Sequence, residues 1–305
     1  MKEYILRADE DNENERIDRY VTYVLADLSR SYIQKLIEGN NITVNGRNIR
    51  SSYRVSTSDE IKVTVPDDLV PDIKPEDIPL DILYEDDDVL VVNKPKGMVV
   101  HPAPGHYEHT LVNALMYRCR DNLSGINGVL RPGIVHRIDK DTTGSIIVCK
   151  NDAAHKCLAE QLKDHSLRRE YVAIVTGELK DEAGTIDKPI GRSRSDRKKM
   201  AIVPDGKRAV TCYKVEKRLK GFTLVRCRLE TGRTHQIRVH MASIGHPVAG
   251  DPVYGNKTAT PVDTCGQALH AQILGFLQPV TGKYIETTAP IPEYMEAFIS
   301  LSEKV

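Results

Sequence analysis

The chain has 305 residues, of which 40% are hydrophobic and 28% charged, a composition typical of a globular protein of about two domains. Mean hydropathy is -0.38, and no stretch approaches the ~18 consecutive apolar residues of a membrane span. The first residues lack the apolar segment of a signal peptide, so we expect a cytoplasmic protein without a membrane partner. The 6 cysteines form no C-x-x-C pair and no Cys/His cluster, which predicts reduced thiols and no bound metal.

The net charge of +0 conceals an uneven distribution of charge along the chain. Residues 66–88 contain 10 acidic residues and 1 basic residue, whereas residues 89–305 contain 32 basic and 22 acidic residues. Residues 16–65 are also slightly basic. Two basic segments on either side of an acidic connector favour a polyanionic partner, because Lys and Arg displace counterions from phosphates. A solvated charged surface is the alternative explanation of the same pattern.

The N-terminal part has the pattern of a small domain in which helices precede strands. Apolar residues recur at helical spacing over residues 17–28, and a second short helix is expected to begin at Ser29. Residues 42–44 and 61–65 alternate as strands, and the first of them runs into Asn45-Gly46, a pair typical of hairpin turns.

These elements and their motifs resemble the S4-like RNA-binding domain, a small α/β domain. The matching segments are R-I-D at 16–18, S-R-S at 29–31, L-I at 36–37, V-N-G at 44–46 and D-E-I at 59–61. Ser58 stands where this family usually has Gly, which leaves the local turn geometry open. The resemblance implies RNA binding, and we expect the RNA contacts from Arg16, Ser29, Arg30, Lys35 and Asn45. A charged surface without RNA contact is the alternative.

Four prolines spaced through acidic residues predict a linker over residues 66–80, which separates a domain at 1–65 from a larger one at 81–305. In the larger domain, short runs rich in Val, Ile, Thr and Tyr predict strands, and helices are expected near 152–162 and over 233–243. Strands in succession with interspersed helices indicate an α+β fold, built on a mainly antiparallel mixed β-sheet with flanking helices.

Two segments of the larger domain are dense in groups that carry chemistry. RPGIVHRIDKDTTG, at 131–144, presents the carboxylate of Asp139 beside cations just before an apolar strand, although a charged turn would look the same. In the segment 230–255, a helix would place Thr234 and Arg238 on one face, as it would His235 and Arg238, and so aim Arg238 at a carboxylate. The histidines of this segment do not have the spacing of a metal site.

Together these segments resemble the pseudouridine synthases of the RluA/RluD family, most closely the ribosomal large-subunit type D branch. Further matching motifs are VVNKPKGMVVHPAPGH at 91–106, TLVNAL at 110–115, REYVAIVTG at 169–177, PIGR at 189–192, RKKMAI at 197–202 and GRTHQIRVHMASIGHPVAGDPVYG at 232–255. The resemblance implies that Asp139 is the catalytic carboxylate, that Tyr171 stacks on the target uracil and assists proton removal from its C5, and that Arg238 pairs with Asp139. It also implies that Arg137 helps to displace the flipped nucleotide.

The reaction implied by this family breaks the N1–C1′ bond of a uridine and rejoins the base through C5, so no cofactor is expected. Asp139 would attack C1′ or take a proton from C2′, and the sequence leaves both routes open. We expect further substrate contacts from His136, Arg233 and His235. The expected partner is large-subunit ribosomal RNA or a pre-ribosomal particle, and the expected state is a monomer. The alternative is an RNA-binding ribosome-assembly factor without catalytic activity.

Overall fold

The structure is a computed structural model. It describes the following residues: 2–8, 12–25, 28, 30–66, 73–102, 106–120, 122–126, 131–194, 196, 199–255 and 258–303. The chain divides into two compact units, residues 1–72 and 73–305. The segment 73–80, which the sequence analysis assigned to the linker, belongs to the second unit, because Ile73 is buried in the core of that unit and Asn113 Nδ2 donates a hydrogen bond of 2.8 Å to the Lys74 carbonyl.

The first unit packs two helices on an antiparallel sheet whose strand order is β1-β4-β2-β3. Its elements are β1 (Lys2–Arg7), α1 (Ile17–Val24), α2 (Arg30–Glu38), β2 (Ile42–Val44), β3 (Arg47–Asn48) and β4 (Glu60–Val65). Asn45 and Gly46 both have positive φ angles, 49° and 74°, as the two-residue hairpin between β2 and β3 requires. Ser58 also has a positive φ, 75°, so it adopts the left-handed conformation for which its family usually has Gly.

The second unit is built on one large mixed sheet. Its strands are β5 (Asp81–Glu85), β6 (Val89–Lys94), β7 (Thr143–Cys149), β8 (Arg168–Thr176), β9 (Ala183–Asp187), β10 (Ile190–Arg192), β11 (Met200–Ile202), β12 (Val210–Leu219), β13 (Phe222–Leu229), β14 (Leu269–Leu277) and β15 (Tyr284–Thr288). The large sheet has the order β5-β6-β7-β14-β8-β13-β12-β9, with β15 on β14, while β10 and β11 form a separate hairpin. Only the β7–β14 pair is parallel among the described strands, which confirms a mainly antiparallel mixed sheet.

Helices cover both faces of this sheet. They are α3 (Leu111–Cys119), α4 (Asp152–Lys163), α5 (Gln236–Ser243) and α6 (Glu293–Leu301). Alternate residues of β6 enter different cores. Leu90 belongs to the core that contains residues of α3, α5 and α6, whereas Val89 belongs to the core that contains residues of α4. Residues of β7 alternate in the same way, since Ile146 joins the first core and Ile147 the second. The continuous apolar runs of the sequence are therefore central strands buried on both faces.

The helix expected over 233–243 begins later than predicted, at Gln236. His235 has a left-handed conformation, with φ 56°, and the side-chain oxygen of Gln236 accepts the Arg233 N–H at 2.9 Å. These contacts form a tight turn before α5, so Thr234 does not share a helical face with Arg238. The convergence of His235 and Arg238 is produced by this turn rather than by helical periodicity.

Candidate active site

Asp139 lies at the end of the loop that precedes β7, and a buried lysine holds this loop by hydrogen bonds to its backbone. Lys94 is fully buried, and its Nζ donates to the carbonyls of Lys140 at 2.9 Å and of Pro95 and Met98 at 2.8 Å. The Thr142 N–H also donates to the Asp139 carbonyl, which closes a turn. Because the carbonyls of Asp139 and Lys140 are both bonded, the loop is fixed at the residue that carries the carboxylate.

Arg238 extends from α5 between two carboxylates. Its Nη1 donates to Asp139 Oδ2 at 2.7 Å, while its Nε and Nη2 donate to Oδ2 and Oδ1 of Asp251 at 2.6 and 2.9 Å. Burial disfavours the charged guanidinium, but the hydrogen bonds and charges of Asp251 and Asp139 outweigh it and raise the pKa of Arg238. A permanently charged donor is therefore held on one oxygen of Asp139.

Asp251 was missed by the sequence analysis, although it lies in one of the segments that resemble the family. Its side chain has no exposed surface, and its Oδ1 also accepts the N–H groups of Val253 and Tyr254 at 2.8 and 3.0 Å. Burial alone would raise the pKa of Asp251, but the bonds from Arg238 outweigh it, and the pKa lies below its usual value. Asp251 is thus an ionised anchor for Arg238, and it lies out of reach of a substrate.

The second oxygen of Asp139 faces a histidine. His235 Nε2 is 3.7 Å from Asp139 Oδ1, and His235 Nδ1 forms a 2.8 Å hydrogen bond with the hydroxyl of Tyr254. That hydroxyl accepts the N–H of Met200 at 2.9 Å, so its own proton is available to His235. Burial lowers the pKa of His235, and the ring is therefore neutral near pH 7. Among the described residues, none donates a hydrogen bond to Oδ1 of Asp139.

Asp139, Arg238 and Tyr171 line one cavity of about 550 Å³. The cavity also brings together the other four site residues predicted in this domain: His136, Arg137, Arg233 and His235. Tyr171 lies on the central strand β8 and is 7% exposed. Burial raises the pKa of Tyr171. The charge of Arg169 opposes this and the Asp139 carboxylate adds to it, and the net result is a raised pKa, so the hydroxyl stays protonated at neutral pH.

The charges on the cavity walls are mainly positive. The lining cations are Arg137, Lys163, Arg169, Arg233 and Arg238. Asp139 is the single carboxylate of the lining in the described part of the chain, and it is already paired with Arg238. Asp141, the other acid of this loop, does not line the cavity. The cavity therefore suits an anionic ligand with one reactive carboxylate inside it.

Several of the predicted contact residues make hydrogen bonds within the protein. His136 Nε2 accepts the N–H of Ile147 at 3.0 Å, and the Nη1 of Arg137 donates to His101 Nε2 at 3.3 Å. Arg233 Nε donates to the carbonyl of Arg208 at 3.0 Å. These bonds orient the three side chains, and all three still line the cavity.

The predicted RNA contacts of the first unit converge partly on one acid. Asp18 is fully buried, and it accepts hydrogen bonds from Arg16 at 3.0 Å and from Gln34 at 2.7 Å. It also forms an ion pair with Arg30 at 2.8 Å. The side chains of Arg16 and Arg30 remain 36% and 44% exposed. Asp18 therefore fixes two cations at the surface of α1 and α2, where a phosphate could reach them.

The other three predicted RNA contacts differ in their placement. Lys35 is exposed on α2, with its side chain in solvent. Asn45 uses both ends of its amide within the unit, since Nδ2 donates to Asp59 at 2.8 Å and Oδ1 accepts the Glu60 N–H at 3.0 Å. Ser29 lies outside the described residues.

The described residues contain no group of three His, Cys, Asp or Glu side chains arranged to hold a metal ion. His240 bonds to Thr211 and to the Lys188 carbonyl, and His246 Nδ1 bonds to the Thr176 carbonyl, so these imidazoles point to separate partners. In addition, no described helix combines the length and the apolar character needed to cross a membrane.

Comparison with known proteins identifies both units. Residues 88–243 match the family model described as RNA pseudouridylate synthase, and residues 15–61 match the S4 domain. The chain is 52% identical to an uncharacterized RNA pseudouridine synthase of Bacillus subtilis, over 98% of each chain. It is 47% identical to ribosomal large subunit pseudouridine synthase D of Zymomonas mobilis, over 94% of this chain and 93% of that one.

A solved structure supports the same assignment. Human RNA pseudouridylate synthase domain containing 1 superposes with a TM-score of 0.57 at 26% identity, over 74% of this chain and 88% of that one. The chain therefore belongs to the RNA pseudouridine synthase family, as a pseudouridine synthase with an N-terminal S4 domain.

Proposed function

We propose that this enzyme isomerises uridines of large-subunit ribosomal RNA, with Asp139 as its catalytic carboxylate. The observation that carries the proposal is the asymmetric environment of Asp139 in the cavity. One carboxylate oxygen is bonded to Arg238, whereas the other receives no hydrogen bond from the described residues. A carboxylate paired with a fixed cation, with one oxygen available, suits attack on a sugar carbon or removal of its proton.

The reaction moves the base from N1 to C5 without net oxidation, so every bond must be made and broken by residues of the cavity. In one route Asp139 Oδ1 attacks C1′ and the N1–C1′ bond breaks. In the other, the carboxylate takes the C2′ proton, and the base leaves from the resulting glycal. In both routes C5 then bonds to C1′. In the first, the bond between C1′ and Asp139 breaks as this bond forms, and in the second, Asp139 returns the proton to C2′. The hydrogen of C5 leaves as a proton, and N1 gains a proton. Arg238 stabilises the carboxylate when it is released.

Tyr171 provides the aromatic surface for the base. Uracil is inaccessible at C5 and N1 while it is stacked in RNA, so the target nucleotide must be turned out into the cavity. An aromatic ring on a central strand can stack against such a base. Because the pKa of Tyr171 is raised, its hydroxyl is protonated at neutral pH. The hydroxyl can therefore accept the C5 proton only after it has given its own proton to another group.

The substrate assignment rests on two features outside the cavity. Relatives that are 41–47% identical over most of the chain are named ribosomal large subunit pseudouridine synthase D. The S4 domain also presents Arg16 and Arg30, fixed on Asp18, to a phosphate backbone. We therefore assign RNA docking to the S4 domain and base recognition to the cavity.

The test uses large-subunit RNA without pseudouridine, both as free transcript and in assembled subunits. Pseudouridines formed by the purified protein are mapped by chemical derivatisation and primer extension. We expect modification at discrete positions, none with Asp139→Asn, and unchanged RNA affinity for that variant. Asp141→Asn, two residues along the same loop but away from the cavity, is the matched control and should retain activity. Full activity of Asp139→Asn would refute the catalytic assignment, and modification of transfer RNA alone would refute the substrate.

A further inference from the structure

Arg169 is a buried cation that the reaction described above does not use. The residue is 7% exposed, its Nε has no hydrogen-bond acceptor, and no ion pair joins it to a carboxylate in the part of the chain that the structure describes. Burial lowers the pKa of Arg169, yet a guanidinium remains charged in proteins. A buried charge without a partner is strongly unfavourable, so this site is incomplete until an anion occupies it.

The position of Arg169 relates it to the target base. Arg169 and Tyr171 are two residues apart on β8, so both side chains lie on the same face of the sheet, with about 6.7 Å between their backbone positions. Both line the cavity that contains Asp139. A Cβ atom on Gly232 would come within 2.6 Å of Arg169 Nη1, so the missing side chain of Gly232 makes room for the guanidinium.

We propose that Arg169 binds the phosphate of the nucleotide whose base lies against Tyr171. The inference rests on the proposed function, because it takes a uridine nucleotide as the ligand of the cavity. Uracil is neutral and cannot balance the charge of Arg169, whereas the phosphate of the same nucleotide can. The planar fork of a guanidinium also matches the geometry of phosphate oxygens. Arg238 is less suited to this role, since its charge is already balanced by hydrogen bonds to Asp139 and Asp251.

Such a contact would hold the nucleotide at both ends. The base lies on Tyr171, the phosphate lies on Arg169, and the ribose between them is confined near the carboxylate of Asp139. Fixing the sugar in this way reduces the entropy that must be lost before C1′ or C2′ meets the carboxylate. Arg169 is thus a substrate-binding residue, distinct from the carboxylate and its partner Arg238.

The test measures binding of small ligands, so that its outcome does not depend on which RNA is the substrate. Uridine, 5′-UMP, 3′-UMP and inorganic phosphate are titrated into the full chain and followed by NMR. We expect wild type to bind one of the two UMP isomers more tightly than uridine, by about tenfold or more, the effect of one charge-assisted hydrogen bond. In Arg169→Gln, UMP should bind only as tightly as uridine, while uridine affinity is unchanged.

Lys156→Gln is the matched control. Lys156 is an exposed cation of α4 that does not line the cavity, so its loss should change UMP affinity less than threefold. Arg169→Lys keeps the charge and should retain part of the preference for UMP over uridine. This second variant keeps the proposal testable if Arg169→Gln misfolds. Three results would overturn the proposal: equal binding of uridine and UMP by wild type, an unchanged UMP preference in Arg169→Gln, or equal losses for both ligands. None of these depends on turnover, so a failure of the proposed reaction would be recognised separately.

Discussion

Replacement of Asp251 by Asn tests whether the orientation of Arg238 matters for turnover. An asparagine oxygen can keep the backbone N–H groups of Val253 and Tyr254, but its amide nitrogen then faces the Nε–H of Arg238. The variant loses at least one charge-assisted hydrogen bond, worth ~1.5–3 kcal/mol, together with a buried counter-charge. A loss of ~2–4 kcal/mol in total would lower kcat by roughly 30- to 1,000-fold if it appears in the barrier.

The assay is single-turnover product formation together with RNA affinity and thermal unfolding. KM should change little, because the Asp251 side chain is fully buried and does not touch RNA. Asp87→Asn, at an exposed acid in the turn between β5 and β6, controls for the change in net charge. A folded Asp251→Asn enzyme with kcat within threefold of wild type would refute the reasoning that Asp251 positions Arg238.

Three further predictions concern other contacts. Tyr171→Phe should keep RNA affinity, since the stacking surface remains, whereas Tyr171→Ala should lose ~1–3 kcal/mol of base binding in a filter-binding assay. Tyr254→Phe should lower kcat by less than about tenfold, because it removes one hydrogen bond to His235. Single-turnover rates measure this decrease. Burial would raise the pKa of Asp18, but the hydrogen bonds from Arg16, Gln34 and Arg30 outweigh it and hold the pKa below its unfolded value of about 3.9. The contribution of Asp18 to the free energy of unfolding is therefore complete above that pH and decreases as the pH falls below it. Hydrogen exchange of the first unit at pH 3 and pH 6 should show a larger dependence in wild type than in Asp18→Asn, where Asp59 still contributes.

Local patterns in the sequence predicted the elements that are marked by the periodicity of their buried residues or by turn residues. Alternation and apolar runs indicated β7 and β8, and the spacing of Ala154 and Leu158 indicated α4, because buried faces repeat with the period of the element. The Asn45-Gly46 hairpin is confirmed for the same reason, since both residues tolerate positive φ. The seven site residues that motif resemblance indicated in the larger domain all line one cavity, although the sequence contains no information on distances.

Contacts between distant segments were not predictable in this way. Asp251 binds Arg238 across 13 residues, and neither residue carries a local signal of that pairing. The start of α5 depends on the Gln236 side chain and on the left-handed His235, which helix propensity does not include. For Arg169 the sequence does contain a signal, because a separation of two residues from Tyr171 on a strand places both side chains on one face of the sheet. Its lack of an anionic partner is visible only in the structure.

The central claim is that Asp139 drives transfer of the uracil from N1 to C5, and release of tritium from C5 tests it most directly. Large-subunit RNA labelled with tritium at uracil C5 and lacking pseudouridine is incubated with wild type and Asp139→Asn, as free RNA and in assembled subunits. Tritium leaves C5 only when the new bond forms there. We predict release with wild type and none with Asp139→Asn at equal RNA occupancy. Release by Asp139→Asn at the wild-type rate would contradict the account.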